Sequence, residues 1–295
     1  MTVKLGLVGT GTVGGGCIDI LKNHREDFKR HYGIDMEPVR VCSRNPEQAI
    51  AHGVEDFFTQ DYQDILNDPD IDIVVELIGG ATVARDIVVG ALKAGKNVVT
   101  ANKALMATYG EEVMGAADEA GKEIAFEASV GGGIPIIRPL NQCLAANEIE
   151  EITGILNGTT NYILTRMIRA GLSFDDALRE AQANGSAEQD PPADIEGHDA
   201  CRKICILASL AFGRHIYPRQ VPTEGITGVT LAAVAYADSC GKKLKLLGRA
   251  IRRTDGKVCA YVAPHLVDRE NPLSGVEDVF NAIAVRGNAI GDVMF

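Results

Sequence analysis

The sequence predicts an α/β protein: a doubly wound parallel sheet, followed from Pro135 by a second, α+β domain. Three observations carry this expectation. Strand-like and helix-like segments alternate through the first half. A glycine turn follows the first strand directly. The βα rhythm then breaks at "VGGGIPII", which sets expected domains at 1–134 and 135–295.

The elements follow in order. "VKLGLVG" reads as a strand, "TVGGGCIDILKNHREDFKRH" as one helix and "EPVRVCSR" as the second strand. "YQDILND" is a short helix, "DIVVELIG" a strand, and "TVARDIVVGALKAG" a helix ended by Gly95. "KNVVTAN", "LMATYGEEVMGAADEAG" and "EIAFEAS" continue as strand, helix and strand. Beyond the break, "RPLNQCLA" reads as a helix, and "LGRAIRRTDGKVCAYVAPHLV" as a hairpin about Asp255-Gly256. The chain stops at "GDVMF" in strand-like sequence, which suggests a fragment.

At 295 residues and 46% apolar, the chain can bury a sizeable core. A net charge of −11 disfavours nucleic acid and anionic membrane surfaces and leaves a small molecule as the expected partner. No secretory signal or membrane span follows "MTVKLGLVGTG", so the expected location is cytoplasmic. The seven cysteines are scattered without a C-x-x-C pair; they suggest neither a disulfide framework nor a zinc site.

Gly9-Thr10-Gly11-Thr12-Val13-Gly14 matches G-x-G-x-x-G between a strand and a helix, the context in which the pattern binds a dinucleotide. The sheet is therefore expected to be of Rossmann type. An NAD site places an acid at the end of the second strand; here Cys42-Ser43-Arg44 stands there, which favours NADP through Arg44 while leaving NAD possible. Asn102 and Lys103 end a later strand, where open α/β sheets bind ligands. A solvated lysine is the alternative.

In "GSAEQDPPADIEGHDACRK", an Asp194 cap would begin a helix with Glu196 one turn before Asp199, and Asp199 one turn before Lys203. A surface salt bridge has the same spacing, but the "ICILASLAFG" that follows is apolar almost throughout. A buried pair of this kind suits Lys203 to acid–base work, with Glu188 in the loop placed to receive an ammonium group. Gly158, Thr159, Thr160 and Asn161 form a polar strand-to-helix turn that could receive a carboxylate.

Five segments, "GLVGTGTVGGG", "ANKALMA", "EASVGGGIPII", "LNGTTNYIL" and "DPPADIEGHDACRK", together resemble homoserine dehydrogenases in order and spacing across positions 6 to 203. The resemblance implies NAD(P)-dependent interconversion of L-homoserine and L-aspartate 4-semialdehyde, a step toward threonine and methionine. It implies Lys203 as the acid–base lysine, and Glu188, Asp199, Asp194 and Thr159 as substrate residues. Lys103 matches the lysine where nicotinamide and substrate meet, for which the resemblance also implies a catalytic, proton-transferring role, and Gly185 a position near the nicotinamide. Glu127, Val130, Gly132 and Ile134 match positions that hold a monovalent cation, usually sodium. The resemblance further implies a homodimer formed through the second domain's sheet, and a later glycine-rich segment whose absence would weaken cofactor binding. Two rivals remain: a related dehydrogenase for another small substrate, and a nucleotide-sensing module without catalysis.

Overall fold

The computed structural model describes residues 1–295, which divide into two units, Met1–Ser129 and Val130–Phe295. The first contains β1 (Thr2–Val8), α1 (Thr12–Asn23), α2 (Arg25–Tyr32), β2 (Asp35–Cys42), α3 (Pro46–Ala51), β3 (Phe58–Thr59) and α4 (Gln63–Leu66). It continues with β4 (Ile73–Glu76), α5 (Thr82–Lys93), β5 (Asn97–Thr100), α6 (Lys103–Ala120) and β6 (Ile124–Ala125). The strands pair in parallel in the order β3-β2-β1-β4-β5-β6, the doubly wound topology expected. Leu5, Leu7, Ile18, Val41, Ala49 and Val54 form one of its buried clusters. The last four residues of β1 are all buried, as a strand covered by helices on both faces requires.

Three elements of this half depart from the expectation. The long first helix is two, because His24 (φ −112°, ψ 14°) leaves the helical region. Ile18 is buried in α1, whereas α2 has no buried residue and is fastened instead by Arg25 to Asp35 of β2 at 2.5 and 3.0 Å. The strand at "EIAFEAS" is only Ile124–Ala125, after which Glu127–Ser129 winds into a 3₁₀ turn. The division between the units then falls at Ser129/Val130, five residues before Pro135, since Gly131 already packs against Ile134 and Ile283 of the second unit.

The second unit holds β7 (Ile149–Ile155), α7 (Gly158–Ala170), α8 (Phe174–Ala183), α9 (Pro192–Ile195), α10 (His198–Phe212) and α11 (Leu231–Ser239). Then come β8 (Lys242–Arg252), β9 (Val258–Asp268), β10 (Ala282–Gly287) and β11 (Gly291–Met294). All five strands pair antiparallel in the order β11-β10-β7-β8-β9. The expected hairpin is β8–β9; Arg253 N–H donates to Lys257 O across a turn in which Gly256 takes φ +77°. "RPLNQCLA" makes no full helix, only a π-type turn over Pro139–Cys143. No helix of the protein is long and apolar enough to cross a membrane.

Candidate active-site elements

The strand order reverses between β1 and β4, and such a switch point is where open α/β sheets take their ligand. The register aligns Val8 with Glu76 and Glu76 with Thr100, so three strands end at one level. Gly9 comes next, at φ +108°; a Cβ there would lie 2.6 Å from Leu77 O. A Cβ on Gly14 would lie 2.0 Å from Gly9 O, so both positions exclude any side chain. Gly11, Thr12 and Val13 are exposed at the start of α1, whose N-terminus has no side-chain cap and can offer its N–H groups to phosphate. Thr10 is buried and donates to Gln48 Oε1 at 2.9 Å, which spends its hydroxyl inside the protein. Arg44 is exposed just beyond β2, and its backbone carbonyl accepts from Gln60.

At the end of β5, Lys103 opens α6 and is half-buried, while Asn102 is buried and caps the helix by accepting from Leu105 N–H at 3.0 Å. The other face of the Asn102 carboxamide donates to Gly80 O at 2.6 Å, Ile78 O at 3.3 Å and Glu76 Oε1 at 3.4 Å. Asn102 therefore frames the site. Glu76, the one acid between the apolar "IVV" and "LIG", was not anticipated from the sequence; an acid ending a buried parallel strand is the signal that marks it.

In the second unit α10 juxtaposes the expected pair: Lys203 Nζ lies 2.7 Å from Asp199 Oδ2, on a helix whose following residues are buried. Lys203 also donates to Leu156 O at 2.7 Å. An ammonium has three hydrogens, so one remains for a ligand. Asp194 does not cap this helix. The cap is Gly197 in the left-handed region, and Asp194 belongs to the preceding α9, because Pro191-Pro192 starts a separate turn. Glu196 ends that turn and meets the exposed His198 at 3.3 Å, away from Asp199.

The organiser of the cluster is Asn157, whose signal in the sequence is that of an Asn ahead of a helical run, a cap. Its Oδ1 caps α7 by accepting from Thr160 N–H, and its Nδ2 donates to Asp194 Oδ1 at 2.8 Å and Asp199 Oδ2 at 2.9 Å. Asp199 is only 3% exposed, and its Oδ2 is committed to Lys203 and Asn157. Thr159 donates to Ser186 O at 2.8 Å, tying α7 to the loop that carries Gly185 and the exposed Glu188. Thr160 and Asn161 face inward: Thr160 bonds Asn157, while Asn161 donates to Val276 O and Phe280 O and accepts from the buried Lys245. Neither is available to a substrate carboxylate.

A glycine turn at the switch point of such a sheet marks the class, NAD(P)-dependent oxidoreductases. Models of the homoserine dehydrogenase NAD-binding domain and of homoserine dehydrogenase match residues 9–127 and 135–295. The homoserine dehydrogenase of Synechocystis is 45% identical over 298 residues, covering 100% of this chain and 69% of that one. The crystal structure of the Thiobacillus denitrificans enzyme superposes with a TM-score of 0.95 at 44% identity, over 100% of this chain and 68% of that one. A hyperthermophilic archaeal homoserine dehydrogenase in complex with NADPH superposes with a TM-score of 0.82 at 28% identity, over 100% and 91%. The chain belongs to the homoserine dehydrogenase family.

Proposed function

We propose that Lys203 is the acid–base group for interconversion of L-homoserine and L-aspartate 4-semialdehyde. The observation that carries this is the lysine itself: two of its hydrogens go to Asp199 and Leu156 O, and the third can reach a substrate oxygen. The bound nicotinamide supplies or accepts the hydride. In reduction, Lys203 Nζ gives a proton to the aldehyde oxygen as that oxygen gains charge; in oxidation, it takes the hydroxyl proton back. Asp199 and Asn157 hold the amine in place, so Asp199 serves substrate binding through Lys203. Glu188 and Asp194 supply carboxylates for the substrate ammonium, and Thr159 holds the loop of Glu188 through Ser186 O; for Lys103 and Gly185 the family resemblance is the support for roles at the nicotinamide.

The cofactor reading extends to NADP, taken through Arg44 beyond β2, where no acid stands before Glu47. A monovalent cation, sodium first, would be held by Glu127 and the carbonyls of Val130, Gly132 and Ile134. Support is local: Gly131 and Gly133 take φ +56° and +86°, and the buried Ser129 hydroxyl has no hydrogen-bond partner. A homodimer would use the five-stranded sheet, whose face carries the Glu151–Arg249 pair at 2.8 Å beside the stacked Tyr261 and His265.

Homoserine oxidation by the wild type and Lys203→Ala, with NADP⁺ and NAD⁺ in parallel, tests the central assignment. Loss of about 10³-fold in kcat with cofactor affinity retained is expected. A variant within a few fold of wild type refutes the role.

A further inference from the structure

Glu76 is a fully buried carboxylate that no step above uses. Its Oε2 accepts from the Thr100 hydroxyl at 2.6 Å, and its Oε1 from Ile78 N–H at 2.9 Å and Asn102 Nδ2 at 3.4 Å. All three partners donate. Thr100 Oγ1 itself accepts from Asn102 N–H at 3.0 Å, which directs the hydroxyl hydrogen at Glu76. A carboxylate accepts all three, whereas a protonated acid or an amide would face donors with a donor.

These bonds join the two sides of the switch-point crest. On one side, Leu77 follows Glu76 directly, donates to Val8 O at 2.8 Å and presents the carbonyl against which Gly9 packs. On the other, Thr100 and Asn102 set the start of α6 and hence Lys103. Ile78 and Gly80, held through Glu76 and Asn102, form the segment between them.

We propose that Glu76 is a positioning residue for cofactor binding, its carboxylate fixing the glycine turn and the Asn102–Lys103 turn at one spacing before the dinucleotide arrives. The inference rests on the nicotinamide-cofactor reading of this crest. Burial pushes the Glu76 carboxyl above the usual carboxylate range, and the bonds to Thr100, Ile78 and Asn102 offset that rise only in part.

The test is fluorescence titration with NADPH on the wild type, Glu76→Gln and Thr100→Val, alongside the homoserine KM at saturating cofactor and the thermal midpoint of the free protein. Glu76→Gln should raise the NADPH Kd about tenfold and Thr100→Val about threefold, with the homoserine KM within about twofold, because only the first unit's crest is disturbed. A Kd within twofold of wild type in both variants, or a homoserine KM that rises as much as the Kd, overturns the proposal. If Glu76→Gln does not fold, Thr100→Val decides: weaker NADPH binding at an unchanged midpoint supports the role, and a lower midpoint at unchanged affinity refutes it. Homoserine oxidation by the wild type checks the underlying reading separately, and a wild type that fails to bind NADPH refutes both.

Discussion

Each unit of the molecule has a buried carboxylate centre organised by an asparagine, and the two are built alike up to one difference. Asn102 caps α6 and Asn157 caps α7; each accepts a backbone N–H with Oδ1 and turns Nδ2 toward buried acid. Around Glu76 every other partner is an uncharged donor, whereas Asp199 meets the ammonium of Lys203. One centre has only structure to hold; the other holds an ammonium, the group proposed above to transfer the proton. An asparagine cap is thus a common frame, and the group set against the carboxylate decides what the frame does.

The comparison breaks most sharply at Asp199. Asp199→Asn removes the charge facing Lys203, and kcat should fall about 10²-fold or more with NADPH affinity unchanged; steady-state kinetics with a binding titration would show it, and parallel loss of both would erase the distinction. Gly9→Ala is the counterpart in the first unit. A methyl 2.6 Å from Leu77 O at φ +108° should cost most of the NADPH affinity, measured by the same titration; wild-type binding would count against the crest as the cofactor site.

The two asparagines give a matched pair. Asn157→Ala and Asn102→Ala each remove a cap and should each cost about 1 kcal/mol in denaturant melts. Their functional effects should separate: Asn157→Ala lowering kcat/KM for homoserine about tenfold or more, and Asn102→Ala raising the NADPH Kd. Identical kinetic profiles would mean that the likeness is only helical capping.

The smallest effect concerns Lys245, 1% exposed, which meets neutral oxygens: it donates to Asn161 Oδ1 and to Val276 O. Burial lowers its pKa to about 8; Glu277 and Asp278 oppose the shift, while Lys243 and Arg169 add to it. Between pH 8 and the unfolded value of 10.5 the native protein binds fewer protons than the unfolded chain, so stability attributable to this group rises with pH. Wild type should gain on the order of 2 kcal/mol relative to Lys245→Met from pH 7.5 to 10, read as the change in the difference between their unfolding free energies. A constant difference would mean that Lys245 keeps its proton in the native protein as it does in the unfolded chain, and that burial does not lower its pKa.

The parallel sheet was legible because strands covered on both faces leave unbroken apolar runs, and Gly9, Gly11 and Gly14 stand at fixed offsets from the first. Lys203 and Asp199 were legible from their four-residue spacing ahead of an apolar helix. Glu76 and Asn157 were not. Each draws its importance from partners that only the fold brings near: Thr100, 24 residues away, and Asp199, 42 residues away. The Asp194 cap failed locally, since Pro191-Pro192 built a separate turn and Gly197 took the capping place. The single first helix failed because nothing in "KNHREDF" signals that packing stops midway.

The bonds on Lys203 have a further consequence for substrate range. Its two partners come from the end of β7 and from its own helix, while Glu188 hangs in an exposed loop braced by Gln182 donating to Glu188 O and Gln189 O. On the roles proposed above, the loop from Gly185 to Pro191 could change its acids without disturbing the bonds that hold the Lys203 amine, so proton transfer and this part of substrate choice would be separable in heredity.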